Sequence, residues 1–133
     1  MARVLIVEDE KPLRSMAEYF FKAAGHEVTA CADCTQAVAA LKSQAHSYDL
    51  LVSDWNYPGL GENPNPKSGG RELLQYLKSH PGEAPGDIAI MSGNQDAAAT
   101  GVILSALEPV PPVYSKPDLF NARFKVILDR LNR

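Results

Sequence analysis

A chain of 133 residues, 45% apolar and 22% charged, is long enough for one domain with a real core. Its net charge of −3, with no short window holding more than two Lys or Arg, excludes the basic footprint that nucleic-acid binding needs. No stretch approaches the ~20 apolar residues of a membrane helix. The start, Arg3 and four apolar residues before acids intervene, falls short of a secretion signal, so a single domain over residues 1–133, kept in the cytoplasm, is expected.

The first apolar run, Val4-Leu5-Ile6-Val7, has strand length and leads straight into Glu8-Asp9-Glu10. A helix is predicted from about Pro12 to Ala24, because Pro12 suits a first turn and Gly25 a left-handed stop. Leu13, Met16, Ala17, Phe20 and Ala24 mark its expected buried stripe. A short strand, Glu27 to Ala30, follows, then a helix over about Thr35 to Gln44 with Val38 and Leu41 inward. Leu50-Leu51-Val52-Ser53 reads as a third strand ending at Asp54. The third helix is predicted from Gly70 to Ser79 on Leu73, Leu74 and Leu77. Ile88-Ala89-Ile90-Met91 is a fourth strand ending at Ser92. A fourth helix over about Asp96 to Leu107 is softened by Gly101, which costs about 1 kcal/mol against alanine. After Glu108-Pro109-Val110-Pro111-Pro112 comes a short strand, Val113-Tyr114-Ser115, ending at Lys116-Pro117. Phe120, Phe124, Ile127, Leu128 and Leu131 then recur at helical spacing over about Leu119 to Leu131.

Strand and helix thus alternate five times, the pattern of a three-layer, doubly wound parallel α/β sheet with helices on both faces. Cys31 and Cys34 form a Cys-x-x-Cys, placed on the sequence side away from the acidic residues. Two ligands do not make a zinc site, and a reduced, structural pair is expected.

In such a sheet the ligand site lies beyond the carboxyl ends of the strands. Glu8, Asp9, Asp54, Ser92 and Lys116 all sit there. This inventory suits a magnesium ion and a phosphoryl group, since magnesium takes one or two carboxylates and keeps several waters. Asp9 and Asp54 would be direct ligands, with Glu8 helping through a water. Without a cation the carboxylates should repel, destabilising the fold and raising at least one carboxyl pKa. Asp54 is the expected nucleophile, forming an aspartyl phosphate. Ser92 would hydrogen-bond a phosphoryl oxygen and Lys116 would neutralise another.

Leu5-Ile6-Val7-Glu8-Asp9-Glu10, Ser53-Asp54, Pro58, Ser92-Gly93 and Ser115-Lys116-Pro117 together resemble the receiver domain of two-component response regulators, over essentially the whole chain. The resemblance implies a flavodoxin-like (βα)5 fold with strand order 2-1-3-4-5. It implies phosphotransfer to Asp54 from a histidine kinase or a histidine phosphotransfer protein, and a third protein ligand to magnesium from the backbone carbonyl of Asn56. It further implies that the fourth helix, fifth strand and fifth helix form an output face that moves on phosphorylation. Such a domain is not an enzyme toward other substrates, and its output passes to a downstream effector protein whose identity the sequence leaves open.

Three features depart from the family pattern. The stretch Gly59 to Gly70 is longer than the usual link to the third helix, and reads either as a lid or selector at the site or as a solvated insertion. Val113 stands where an aromatic is usual, with Tyr114 adjacent but on the opposite strand face. The proline-rich exit from the fourth helix is also atypical. Two alternatives stay open. One is a pseudo-receiver that binds partners without phosphorylation. The other is a haloacid-dehalogenase-like phosphatase, against which Asn56 counts, since that family needs an aspartate two residues after its nucleophile.

Overall fold

The computed structural model describes residues 2–43, 48–92 and 113–115, the last three together with Met91 and Ser92 through their backbone. Five strands, β1 (Arg3–Val7), β2 (Glu27–Cys31), β3 (Leu50–Asp54), β4 (Asp87–Ser92) and β5 (Val113–Ser115), form one sheet. Their order is β2-β1-β3-β4-β5, every pair parallel. Three helices connect them, α1 (Lys11–Ala23), α2 (Cys34–Ser43) and α3 (Gly69–Ser79), with a 3-10 turn at Pro81–Glu83. The fold is the doubly wound sheet that the alternation predicts, in the flavodoxin-like strand order that the resemblance implies. The predicted fourth and fifth helices lie outside the described residues.

Burial follows position in the sheet. Every residue of the central strand β3 is buried, as are Val4 to Val7 of β1, whereas edge strand β2 is mostly half-exposed. One apolar cluster joins Leu5, Val7 and Leu51 to Ala37, Val38 and Leu41 of α2 and Leu73, Leu74 and Leu77 of α3. The other, on the opposite face, joins Val4, Ile6, Leu50 and Val52 to Ala17 and Phe21 of α1. Each fully buried aliphatic contributes about 1.5–3 kcal/mol relative to exposure. Among the described residues no helix is long and apolar enough to cross a membrane.

The first helix is rotated relative to its expected stripe. Ala17 and Phe21 are its buried residues; Met16 is 51% exposed and Ala24 is exposed too. Ala17 is buried as expected and Phe20 packs against the core, while Phe21, outside the expected stripe, completes the buried face and meets Phe20 edge to face at 5.4 Å. Gly25 takes φ +92° after this helix, the left-handed turn its position requires.

At the amino end of the sheet, buried His26 accepts a hydrogen bond on Nδ1 from Ala2 N–H (2.9 Å). Its proton is therefore on Nε2, which finds no partner among the described residues. Burial pushes the imidazole pKa below its ordinary 6.5, with Asp49 partly opposing. The unfolded chain thus binds a proton at a pH where folded His26 still resists one, and stability must rise with pH there. His26 contributes its full stabilisation above about pH 6.5, and this is lost progressively as pH falls toward the lower folded value. The urea midpoint is expected to drop between about pH 7.5 and 5.5. His26→Asn, which can keep an acceptor for Ala2 N–H without titrating, should flatten that slope; an unchanged slope would rule His26 out as its source.

Candidate functional site

Parallel register brings the ends of β1 and β3 side by side, Val7 opposite Ser53, so the residues that follow converge. Glu8, Asp9 and Asp54 each offer a carboxylate oxygen, and the three oxygens lie within 4.8 Å of one another. Glu8 and Asp54 are buried, at 8% and 3% exposure, while Asp9 is exposed. Two ligands each about 2.1 Å from one magnesium ion are at most about 4.2 Å apart. The three oxygens are thus close enough together to share one such cation, directly or through a water.

The loops hold these acids by their backbone. Glu8 N donates to Cys31 O (3.0 Å), and Glu8 Oε1 accepts from Glu10 N (3.1 Å). Arg14 Nη1, one turn into α1, donates to the carbonyls of Glu8 (3.0 Å) and Asp9 (3.4 Å). A cation thus binds the acidic loop through its carbonyls. Sequence reasoning missed Arg14; its only signal is a basic residue in the first turns after an acidic run.

Asp54, the last residue of β3, accepts a hydrogen bond on Oδ1 from Trp55 N (2.8 Å), which orients the carboxylate. Beneath it, Ser53 Oγ donates to Asp54 O (2.8 Å), and its hydroxyl proton is thereby used. Tyr57, fully buried, must then be the donor in the 2.8 Å contact to Ser53 Oγ. Burial pushes the Tyr57 phenol well above its usual pKa, so it keeps that proton. Sequence reasoning missed this residue too, because nothing in the Asn56-Tyr57-Pro58 run signals a place in the core.

Helix α3 begins against this turn. Gly69 N donates to Tyr57 O (2.7 Å) and Gly70 N to Trp55 O (3.1 Å). The long loop between is closed on itself: Gly59 N bonds Asn65 O (2.9 Å), Ser68 Oγ donates to the Glu72 carboxylate, and Leu60 N reaches the same carboxylate at 3.4 Å. Its base is buried, and residues 60–67 are exposed. It is an Ω-type loop with its ends together, standing at the rim of the carboxyl edge.

Of the remaining expected site residues, Asn56 sits half-buried two positions past Asp54. The backbone of Ser92 ends β4 in register with Ser115 of β5, at the same edge. The Ser92 side chain and Lys116 lie outside the described residues. Residues Val113 to Ser115 pair one to one with Ile90 to Ser92, with no bulge to bring residue 114 onto the face of residue 113. The two cysteines lie nearer the acids than the sequence suggests, since Cys31 stands opposite Val7 and its carbonyl receives Glu8 N–H. Both are free and buried, and burial chiefly raises their thiol pKa to about 11 for Cys31 and about 12 for Cys34. Such thiols stay protonated near neutral pH and are inert.

A family model described as the response regulator receiver domain matches residues 4–107. The phosphate regulon transcriptional regulatory protein PhoB of Pseudomonas aeruginosa is 30% identical over 131 residues, covering 96% of this chain and 52% of that protein. PhoB of Rhizobium meliloti is 28% identical over 132 residues, covering 98% and 53%. The chain thus spans about half the length of the curated relatives it matches. Among solved structures, a response regulator receiver domain protein from Clostridium thermocellum superposes with a TM-score of 0.76 at 20% identity, covering 100% of this chain and 96% of that one. The chemotaxis response regulator CheY4 of Vibrio cholerae gives 0.74 at 25% identity, covering 98% of each chain. With three carboxylates gathered past the first and third strands of a 2-1-3-4-5 sheet, and a family match running through four of its five strands, the chain belongs to the response regulator receiver domain family.

Proposed function

We propose that this chain is a phospho-accepting signalling receiver of a two-component phosphorelay, working in the cytoplasm and modified at Asp54. The observation that carries the reading is the convergence of Glu8, Asp9 and Asp54 oxygens within 4.8 Å in a chain of the receiver family. The donor is a phosphorylated histidine on a sensor kinase or a histidine phosphotransfer protein. An Asp54 carboxylate oxygen attacks phosphorus as the P–N bond breaks; the electron pair leaves with the imidazole nitrogen, which takes up a proton. Hydrolysis later returns the carboxylate and releases phosphate, so the chain catalyses only its own phosphorylation and dephosphorylation.

The Trp55 N–H on Oδ1 and the Ser53–Tyr57 hydroxyl pair below hold Asp54 in one orientation for in-line attack. Asp9 and Asp54 would bind magnesium directly, with the Asn56 carbonyl as third protein ligand and Glu8 acting through a water. When bound, the ion offsets the charge of the phosphoryl oxygens. Ser92 donates to one of those oxygens and Lys116 neutralises another. Phosphorylation then shifts the face made by the fourth helix, fifth strand and fifth helix, and a downstream effector protein reads it. The acidic balance of the chain gives this domain no nucleic-acid or membrane role of its own.

Thermal unfolding with magnesium, then with magnesium and beryllofluoride, tests this in wild type and Asp54→Asn. A ligand at a hundredfold excess over its Kd adds about 2.7 kcal/mol, so each addition should raise the wild-type midpoint by several degrees. The beryllofluoride step should vanish in Asp54→Asn. No wild-type response to either addition would reject phosphorylation in favour of a partner-binding pseudo-receiver.

A further inference from the structure

The loop beside Asp54 builds a hollow that the phosphoryl centre does not use. Trp55, Asn65, Lys67, Ser68 and Arg71 line it, and it is a shallow, open hollow of about 160 Å³. That is well below the ~300–1,000 Å³ of pockets that enclose drug-sized ligands, and suits one small group.

Its chemistry is one-sided. The ionisable lining residues, Lys67 and Arg71, are both cations, and neither has an ion-pair partner among the described residues. Asn65 Oδ1 is taken by Lys67 N–H (2.9 Å), which leaves the amide NH2 as the available end. Ser68 has given its hydroxyl proton to Glu72, and that carboxylate is committed to Ser68 and Leu60 N. Trp55 is buried but for 8% of its surface. Its indole N–H has no acceptor among the described residues, yet is not one of the atoms sealed from solvent.

The start of α3 adds one more donor. Of its first four N–H groups, Gly69 gives to Tyr57 O, Gly70 to Trp55 O and Glu72 to Ser68 O. The N–H of Arg71 is left without an acceptor among the described residues, at the positive end of an eleven-residue helix.

We propose that this hollow is an oxyanion subsite, separate from the three-carboxylate cluster, that takes a phosphate group, either free or carried by a small molecule. Two cations match a dianion, whereas a single carboxylate would leave one of them uncompensated. The arginine fork and the neighbouring N–H donors provide for three acceptor oxygens. The subsite does not depend on Asp54 being phosphorylated.

Trp55 is the one tryptophan of the chain, so its fluorescence reports on this hollow and on the neighbouring Asp54, which the Asp54→Asn control separates. The experiment titrates inorganic phosphate and, separately, glycerol phosphate into divalent-free protein, with ionic strength held constant by chloride. Wild type should show a saturable change, weakened at least tenfold in both Lys67→Gln and Arg71→Gln. Both residues are exposed, so the substitutions leave the fold intact. Asp54→Asn should bind within twofold of wild type. Equal binding of the two probes assigns the subsite to the phosphate group alone, and tighter glycerol phosphate to a small phosphorylated molecule; either supports the proposal. No saturation beyond the chloride control, or unchanged binding in the glutamine variants, overturns it. A change of more than twofold in Asp54→Asn, in either direction, also overturns it, because the phosphate would then be sensing the carboxylate cluster, leaving the phospho-receiver reading intact.

Discussion

Gly70→Ala is expected to destabilise the protein by about 3 kcal/mol, through added atoms clashing with backbone. A Cβ on Gly70 would run into the Trp55 carbonyl oxygen and lie 2.9 Å from Trp55 Cα and 3.0 Å from Asp54 O. None of these is the end of a flexible side chain. Helix α3 would have to retreat, stretching the 3.1 Å bond from Gly70 N to Trp55 O and pulling on the end of β3. Overpacking costs about 1–3 kcal/mol, and the weakened hydrogen bond about 1 more. For a domain of this size the melting midpoint should fall by roughly 10 °C. Gly69→Ala should behave similarly, since its Cβ would run into the Tyr57 ring and lie 2.6 Å from Pro58 O, and Tyr57 is fully buried. A methyl group on Gly82 would have nothing within 4 Å, and Gly82 has no left-handed φ, so Gly82→Ala serves as the neutral control. Urea unfolding of the three variants decides the matter: a Gly70→Ala midpoint equal to that of Gly82→Ala would show that the α3 start is not held against Asp54 and Trp55.

This contact marks where the sequence stops speaking for itself. Glu8, Asp9 and Asp54 are readable as one site because each follows an apolar run of strand length, and parallel strands bring their carboxyl ends to one edge. The strand order 2-1-3-4-5 comes with the family resemblance, since no strand's own residues say which strand will lie beside it. Phe21 escapes the helical stripe because a 3.6-residue period defines an apolar arc and not which edge of it meets the sheet; Met16 belongs to the same arc and is 51% exposed. Tyr57 and the Gly69-Gly70 pair escape for a different reason. Their burial comes from the closing of a loop onto a distant turn, Gly69 onto Tyr57 and Gly70 onto Trp55, and such contacts leave no periodic trace. Arg14 likewise acts through the carbonyls of Glu8 and Asp9, acceptors that every residue carries and no motif can display.

Asp9→Asn is expected to stabilise the metal-free protein and to abolish most of its gain from magnesium, so the two unfolding curves should cross as magnesium is added. Two carboxylates 4.8 Å apart, the outer limit of the cluster, repel by about 3.5 kcal/mol at an effective dielectric of 20. Asp9 is exposed, and solvent screening leaves roughly 1 kcal/mol of this to be recovered by neutralising it. Asparagine keeps the volume and one carbonyl oxygen, so the packing of the loop, fixed by Arg14 on the backbone, should not change. The same substitution removes one of the two charges expected to hold the cation directly. Wild type should therefore start lower and rise by several degrees to saturation, while Asp9→Asn starts higher and stays nearly flat. Glu8→Gln should recover less, because Glu8 Oε1 already accepts from Glu10 N (3.1 Å) and that hydrogen bond favours the charged form. The measurement is the melting midpoint of each variant against magnesium at constant ionic strength. An Asp9→Asn protein less stable than wild type without metal would mean that Asp9 is held by attraction, and that the cluster is structural in the absence of a cation. One that keeps the full magnesium response would place the ion away from Asp9.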